Sequence, residues 1–536
     1  MPLDAIIISD SGVKTMSGTN PLKLLLDGRI ADVQVVLNYL KHQGKVLAPI
    51  EGDGVSSWAS APKLNGISLL HYLTSQKFEV ELIDSYYEEQ EEFRRLLKDT
   101  PRAVIISTTY IPNKPTLKKL VDDIRELAPD IFIIVGGPLI YLSYLMLQRS
   151  SENNYDTESA KNDFLFLNVN DEPSANLYII SLLGEKILCE ALRNLKEGKP
   201  INRLPNSATL LGKKYNFFQR MDEISEPADF FIDWKLLPGK IFKSKVIPMQ
   251  ASNGCPYQCA FCNFAKDRKL TFVKPLDQLV NELKAVAIRG VRHVWFVDDN
   301  FRLGKDDLNN VCRRIIAEGI EIEWMTFVRA GALNNVDMQL LRRAGCIEVQ
   351  LGLESADTMI LKNMNKKASP QQYSEVLRLL LSTGINCSCY FISGFPGETD
   401  ETAQKTREFI KRHEYPELEG YLSWSLYPFV LSPLSPIYEP DMRKEYKLTG
   451  YMQKWKHRTM DSDRAREHVL KTFLGLQNSG PIYRGDNLSI LKSLGPRQRK
   501  KFEAIRHSLS KAAWTGLLER QRIMESFKQI FPSHDN

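Results

Sequence analysis

Between residues 246 and 429 short apolar runs alternate with amphipathic stretches, and this alternation limits the fold more than any other feature. The apolar runs fall at 245–252, 291–298, 321–328, 346–353, 386–393 and 420–428, each of a length suited to a buried strand. The stretches 276–288, 305–318, 336–344, 370–383 and 399–412 carry helical spacing. Pro370 opens one of them and Gly384 follows its end, which is ordinary helix punctuation. Repetition of strand and helix builds a parallel sheet with helical crossovers, so the class is α/β.

One loop directly after the first of these strands holds three cysteines, Cys255-Pro-Tyr-Gln-Cys259-Ala-Phe-Cys262. The spacing C-x3-C-x2-C offers three thiolates to one metal centre and no fourth. A four-iron cluster normally takes four cysteines, so three leave one iron open. The alternative is a structural zinc knuckle, which wants a fourth Cys or His at short spacing. His293 is too far along to belong to this loop, and Cys312 falls on a predicted helix.

The loop resembles that of the radical S-adenosylmethionine (radical SAM) enzymes, with Phe261 and Asn263 fitting the same pattern. The resemblance implies a [4Fe–4S] cluster on Cys255, Cys259 and Cys262, with S-adenosylmethionine chelating the free iron. It also implies that the six units form a partial (β/α)6 barrel over 245–430. Later strand ends are similar to the family's motifs. Asp298 and Asp299 in Phe-Val-Asp-Asp-Asn-Phe301 suit the ammonium group of S-adenosylmethionine, or else cap the following helix. Arg329 suits its carboxylate, with a surface ion pair as the alternative. Gly352 and Glu354 end the fourth strand and suit the ribose. Gly394 and Pro396, in Phe391-Ile-Ser-Gly-Phe-Pro-Gly-Glu-Thr399, resemble the adenine-binding turn.

Residues 1–200 show the same alternation. Strands are expected at 4–9, 78–84, 102–108, 131–135 and 164–169, and helices at 31–42, 66–76, 88–98 and 114–128. This reads as a Rossmann-like domain that takes ligands beyond its strand ends. Candidate contacts there are Ser107, Thr108, Thr109, Gly136, Gly137, Asn170 and Glu172. No G-x-G-x-x-G opens a helix, so nicotinamide or flavin binding by that fingerprint is unsupported. The segments 105–115 and 131–138, and Ala61-Pro-Lys-Leu-Asn-Gly-Ile-Ser-Leu-Leu-His-Tyr72, resemble the cobalamin domain of class B radical SAM enzymes. The D-x-H-x-x-G signature of histidine-ligated cobalamin proteins is missing, as it is from many class B members.

Residues 201–244 read as a linker and 431–536 as a mainly helical cap. The run Trp455-Lys-His-Arg458 suits either substrate contact or a solvated helix face. The 536 residues suggest two or three domains. A net charge of +6, from 71 basic against 65 acidic residues, gives no reason to expect nucleic acid. Eight scattered cysteines are no disulfide scaffold, and Cys189, Cys312, Cys346, Cys387 and Cys389 read as buried free thiols. With no signal peptide visible after Met1-Pro-Leu-Asp4, and Gly136-Gly137-Pro138 breaking the most apolar stretch, a cytoplasmic protein without a membrane span is expected.

The resemblance implies reductive cleavage of S-adenosylmethionine to a 5′-deoxyadenosyl radical. It further implies methyl transfer from methylcobalamin to an unactivated carbon or phosphorus of a small molecule, with flavodoxin or ferredoxin as electron donor. A rearrangement, cyclisation or oxidation without methyl transfer stays open, and so does a zinc-stabilised binding module without catalysis.

Overall fold

A computed structural model describes residues 3–13, 20–46, 56–152, 154–168, 171–201, 203–222, 230–264, 272–301 and 305–531. The chain divides into two compact units. The first holds Met1–Thr15, Pro62–Pro238 and Tyr438–Pro440, and the second holds Met16–Ala61, Gly239–Ile437 and Asp441–Asn536.

The first unit is built on β1 (Ala5–Ile8), β2 (Val80–Ile83), β3 (Ala103–Ser107), β4 (Phe132–Gly136), β5 (Leu177–Ile179), β6 (Ser207–Leu211) and β7 (Lys214–Phe217), in the order β2-β1-β3-β4-β5-β6-β7. The first five strands pair in parallel, and β6 and β7 close one edge in antiparallel. β1 and β3 are buried throughout, as apolar strands covered on both faces must be. The hairpin β6–β7 lies inside the stretch read as a linker, so this sheet runs on beyond residue 200.

The run Phe164-Leu-Phe-Leu-Asn168 is not a strand, contrary to expectation, and Val169 lies outside the described residues. Phe166 takes φ +71°, a left-handed conformation that breaks an extended run. Its ring instead packs edge-on against Tyr178 and Tyr215, and Ser143 Oγ takes the Leu165 N–H at 3.0 Å. The fifth strand is β5, a dozen residues later.

The second unit carries β8 (Val246–Met249), β9 (His293–Phe296), β10 (Glu323–Val328), β11 (Cys346–Glu354), β12 (Asn386–Ser393), β13 (Leu422–Pro428) and β14 (Gly480–Pro481). They lie in sequential order and every pairing is parallel, the arrangement of a partial barrel. All six expected strands form, and β14 adds a short seventh. Helices begin where side chains satisfy their first free N–H groups. Ser369 caps Pro370–Ser382, Asp357 caps Thr358–Asn363, and Thr399 forms a capping box on Asp400–Arg412. Such caps contribute about 1 kcal/mol each.

Residues 20–46 and 56–61 depart from the expected partition, because they pack in the second unit. Leu24, Val33, Val36 and Tyr39 share a core with Phe502, Leu509, Ile523 and Phe527 of the carboxyl-terminal helices. Trp58 packs with Val246, Met325 and Leu488. Among the described residues no helix is long and apolar enough to cross a membrane. All eight cysteines are free, and Cys189, Cys312, Cys346, Cys387 and Cys389 are buried as expected.

Candidate functional site

The cysteine loop starts where β8 ends, and the acidic pair beyond β9 fixes its start. The Asp298 carboxylate accepts from the Ala251 N–H at 3.1 Å, from the Ser252 N–H and from Ser252 Oγ at 2.6 Å. Asp299 Oδ2 accepts from the Gly254 N–H at 3.0 Å. Burial pushes the Asp298 carboxyl up to about 6, against the pull of these hydrogen bonds. Asp298 thus spends its oxygens on the loop that carries the cysteines, and Asp299 is the half-buried member of the pair.

Within the loop Cys259 is buried, while Cys255 and Cys262 are half-buried. The Cys262 N–H donates to the Cys259 carbonyl at 3.1 Å, making a turn, and the Phe264 N–H points at Cys262 Sγ at 3.4 Å. The loop is clasped by the turn after the helix Thr358–Asn363. There the Met364 carbonyl accepts from the Ala260 N–H at 2.9 Å, and Asn365 Nδ2 donates to the Gln258 carbonyl at 2.7 Å. Asn263 donates to Ser432 Oγ at 3.1 Å, and Phe261 meets Phe395 edge-on.

Arg329, just past β10, reaches into this loop. Its Nη1 lies 3.4 Å from Cys259 Sγ, its guanidinium sits 3.8 Å over the Tyr257 ring, and Nη2 donates to the Lys366 carbonyl. A cation beside thiols favours their thiolate form. Burial pushes the Cys255 thiol up, while Arg329 pulls it down and Cys259 and Asp299 push it further. The two thiols, the acid and the arginine thus share one electrostatic neighbourhood. Among the described residues no three His, Cys, Asp or Glu side chains are already gathered at metal-ligating separation. The donor set nonetheless fits an iron–sulfur cluster: three free thiols on one loop, a backbone N–H aimed at sulfur, and a buried cation alongside.

At the end of β11 the register shifts between Gly352 and Glu354, and Glu354 takes φ +66°. Its carboxylate folds back to Lys366 Nζ at 2.8 Å, and both side chains are buried. A Cβ on Gly352 would stand 2.6 Å from Glu354 Oε1 and 3.1 Å from Phe327 Cζ, so any larger residue would push the Glu354 carboxylate from its place. Lys366 follows no recognisable motif and was not singled out in the sequence. A partial signal was present in β11, where Glu348, Gln350, Gly352 and Glu354 alternate along a strand buried at nearly every position.

The turn after β12 is held from behind. Gly394 has φ +87°, its N–H donates to Glu398, and its carbonyl accepts from His457 Nε2 at 3.1 Å. The Pro396 carbonyl accepts from Asn363 Nδ2 at 3.2 Å. Trp455 stacks on His457 and donates to the Phe429 carbonyl at 2.6 Å. Trp455 and His457 are buried, and a Cβ on Gly394 would stand 2.4 Å from the Trp455 ring. The Trp455–Arg458 run is therefore no helix face: it starts in a short strand, with Trp455 and His457 buried and Lys456 and Arg458 exposed. Its aromatic members buttress the Gly394 turn. Burial pushes the Glu398 carboxyl up to about 8, and the Asp357 carboxylate adds to the rise against the Gly394 N–H.

In the first unit the expected contacts divide. Thr109 is exposed and Gly136 and Gly137 are half-buried at the sheet's carboxyl end. Ser107 and Thr108 are buried. Ser107 Oγ takes Asn65 Nδ2 at 2.8 Å, and Thr108 Oγ1 links the Gly136 carbonyl at 2.9 Å to the Leu139 N–H at 3.1 Å. Gly137 has φ +105°, and a Cβ there would press on the Thr108 backbone at 3.1 Å. Glu172 faces its own core, contrary to its reading as a rim ligand. It pairs with Lys114 at 3.2 Å, takes the Tyr215 hydroxyl at 2.5 Å, and its side chain is 2% exposed. Asn170 lies outside the described residues.

Residues 249–410 match the radical SAM superfamily. An uncharacterized methyltransferase of Pyrococcus horikoshii is 25% identical over 65% of this chain and 72% of its own length. An anaerobic magnesium-protoporphyrin IX monomethyl ester cyclase of Cereibacter sphaeroides is 24% identical over 64% of this chain, which spans only 57% of that relative. Among solved structures, the radical S-adenosylmethionine methyltransferase TsrM of Kitasatospora setae matches with a TM-score of 0.58 at 13% identity, over 98% of this chain and 99% of that one. The cobalamin-dependent radical enzyme OxsB, solved with aqua-cobalamin and S-adenosylmethionine, matches with a TM-score of 0.56 at 14% identity, over 99% of this chain and 75% of that one. Residues 249–410 therefore carry a radical SAM domain, and the chain shares the α/β fold of TsrM and OxsB.

Proposed function

We propose that this chain is a cobalamin-dependent radical SAM methyltransferase acting on a small molecule. The observation that carries the reading is a loop of three free cysteines, clasped at the carboxyl ends of a parallel sheet, with no fourth thiol in the loop. Cys255, Cys259 and Cys262 would hold a [4Fe–4S] cluster, and its open iron would take S-adenosylmethionine. When bound, the cluster supplies the electron that cleaves the sulfonium, and cobalamin supplies the methyl group.

The residues of the mouth have separable tasks in this reading. Asp298 anchors the loop from below, and Asp299 is the acid for the ammonium group. Arg329 supplies positive charge beside Cys259. Glu354 is the acid for the ribose hydroxyls, with Lys366 Nζ holding its carboxylate in place at 2.8 Å. Gly394 and Pro396 form the adenine turn, braced by Trp455 and His457. Buried, mutually bonded groups of this kind need little reorganisation when a charged ligand enters.

Cobalamin is assigned to the carboxyl rim of the first sheet. The rim fits a large amide-bearing ligand through the half-buried Gly136–Gly137 backbone and the exposed Thr109. The relatives named as cyclases favour one second reading, a cyclisation or oxidation that keeps the cluster but transfers no methyl group. A reductant such as flavodoxin or ferredoxin is required by either.

Anaerobically reconstituted protein tests both cofactors in one sample. The expected result is four iron and four sulfide per chain together with about one corrinoid. With dithionite and S-adenosylmethionine, both 5′-deoxyadenosine and S-adenosylhomocysteine should form. Deoxyadenosine without S-adenosylhomocysteine would favour the second reading. A colourless zinc protein would overturn both.

A further inference from the structure

Strand register decides which side chains of the second sheet share a face. Trp295 pairs with Met325, Phe327 with Gln350, Gly352 with Tyr390 and Ile392 with Tyr427, so all of these lie on one side. Two contacts show that this side is the concave one. The Phe327 and Tyr390 rings meet at 6.3 Å between centres, although β11 lies between their strands. Arg484, in the turn after β14, reaches both Glu348 of β11 and the Tyr390 hydroxyl of β12. Outward neighbours such as Phe296, Val328, Cys389 and Leu426 are buried, whereas Trp295, Phe327, Tyr390 and Tyr427 are only half-buried. Large rings that face a filled core are closed off from water, so half-buried rings on a concave face border space inside it.

Below these rings the polar groups are unevenly matched. Gln350 is buried, and its Oε1 accepts from the Tyr390 hydroxyl at 3.1 Å. Arg484 Nη2 donates to the same hydroxyl at 2.9 Å. Gln350 Nε2 and Arg484 Nη1 converge on Met325 Sδ, at 3.3 and 3.7 Å. A thioether is a weak acceptor, and buried donors ordinarily meet a strong one. Two strong donors directed at one sulfur, beside half-open rings, favour an incoming oxygen or nitrogen over that sulfur. Methionine is flexible enough to yield the position. The Glu348 carboxylate already balances the Arg484 charge at 2.5 Å, so a second carboxylate there would meet repulsion. The favoured acceptor is therefore uncharged.

Resting on the methyltransferase reading above, we propose that the substrate is a flat conjugated ring with an uncharged acceptor, a carbonyl oxygen or a ring nitrogen, on its edge. Its face lies against Phe327 and Tyr390, and its edge takes the Gln350 amide N–H in place of the Met325 sulfur. Gln350 and Tyr390 are then the residues that set specificity, and Arg484 positions the Tyr390 hydroxyl. Gly352 serves this arrangement too, since a Cβ there would stand 3.1 Å from Phe327 Cζ.

The test uses the reconstituted full chain and three probes of similar size. 2-Quinolone is flat and carries a carbonyl, decahydroquinolin-2-one carries the same carbonyl on a saturated frame, and 2-naphthoate is flat but anionic. Equilibrium dialysis should rank 2-quinolone first, by about 10-fold over each of the others. Tyr390→Leu should weaken its binding about 3- to 10-fold, and Tyr390→Phe should recover most of that loss. Gln350→Met should weaken 2-quinolone about 3- to 10-fold and leave 2-naphthoate within about 2-fold. Should Tyr390→Leu lose the cluster's absorption spectrum, Phe327→Leu reads the same ring face in its place. Equal binding of decahydroquinolin-2-one overturns the flat ring, and tighter binding of 2-naphthoate overturns the uncharged edge. No binding of 2-quinolone, or binding indifferent to these variants, overturns the site. The methyltransferase reading fails separately, when the same preparation forms no S-adenosylhomocysteine. 2-Quinolone binding that responds to the variants keeps the substrate class in that event, for a reaction without methyl transfer.

Discussion

Around the cysteine loop of the second sheet, the charged side chains at the strand ends are spoken for. Asp298 holds Ala251 and Ser252, Arg329 holds Lys366 and Cys259, and Glu354 holds Lys366. At the rim of the first sheet the polar groups near the strands are also buried, but Thr109, Tyr110 and Val13 stand open. The difference matches the ligands proposed for each. A small charged co-substrate is best met by charges fixed in advance, because in a low-dielectric site misplaced charge is costly. A broad ligand with its own amides needs exposed rings and bare backbone, and few charges.

The largest expected effect breaks the comparison at its strongest point. Cys259→Ala should remove the cluster and lower 5′-deoxyadenosine formation more than about 100-fold, the scale of losing a group the chemistry depends on. Corrinoid uptake by the first unit should stay near wild type. Parallel loss of both would mean that the two rims are not independent.

The next effect is on stability. Lys114 and Glu172 form a buried ion pair in the first unit, with side chains 5% and 2% exposed. Lys114→Met strands a buried carboxylate and should destabilise by about 3–5 kcal/mol. Glu172 already has its pKa raised by burial, so the variant should recover stability as the pH falls and the acid protonates. Denaturant titration at two pH values checks this, and a pH-independent loss would assign the cost to packing instead.

Most of the scaffold was legible because its signals are local. Runs such as residues 386–393 are apolar at strand length, and Pro370 and Gly384 bracket a helix by their own backbone preferences. What escaped reading is set by distant partners. The segment 16–61 reads as part of the first domain, yet the Val33 N–H donates to Asp486 across more than 450 residues of sequence, at 2.7 Å. Phe164–Asn168 has strand composition, and only packing against Tyr178 and Tyr215 explains why Phe166 bends away. In the site, residue types were readable and their bonds were not. Asp298 was visible as an acid at a strand end, but not as the anchor of its own loop. Lys366 was invisible because a lysine after a short helix is usually solvated.

Lys366 sharpens the comparison at a smaller scale. Lys366→Met leaves Glu354 buried without its cation, and in the proposed site should weaken S-adenosylmethionine binding about 10- to 30-fold, the cost of roughly 1.4–2 kcal/mol. The cluster's own spectrum before the co-substrate is added should not change. Calorimetric binding and the spectral shift on adding S-adenosylmethionine read the two separately. An altered resting spectrum would mean that Lys366 supports the cysteine loop more than it supports Glu354.

The smallest effect lies behind the Gly394 turn. Burial, with the Asp357 carboxylate adding to it, raises the Glu398 carboxyl from 4.5 to about 8, so folding favours its protonated form. Its contribution is fully present below about pH 4.5 and is lost as the pH climbs toward 8, at no more than about 1.4 kcal/mol per pH unit. Glu398→Gln removes the proton and keeps the shape. Between pH 6 and 7 wild type should therefore lose about 1.4 kcal/mol relative to this variant. Paired thermal or denaturant unfolding at those two pH values measures the gap. A constant gap would mean that Glu398 is ionised in the folded chain, with water or a cation reaching it. The Trp455–His457 stack would then be an open wall of the site, and the second sheet's mouth would resemble the first sheet's rim more closely than its bonded side chains suggest.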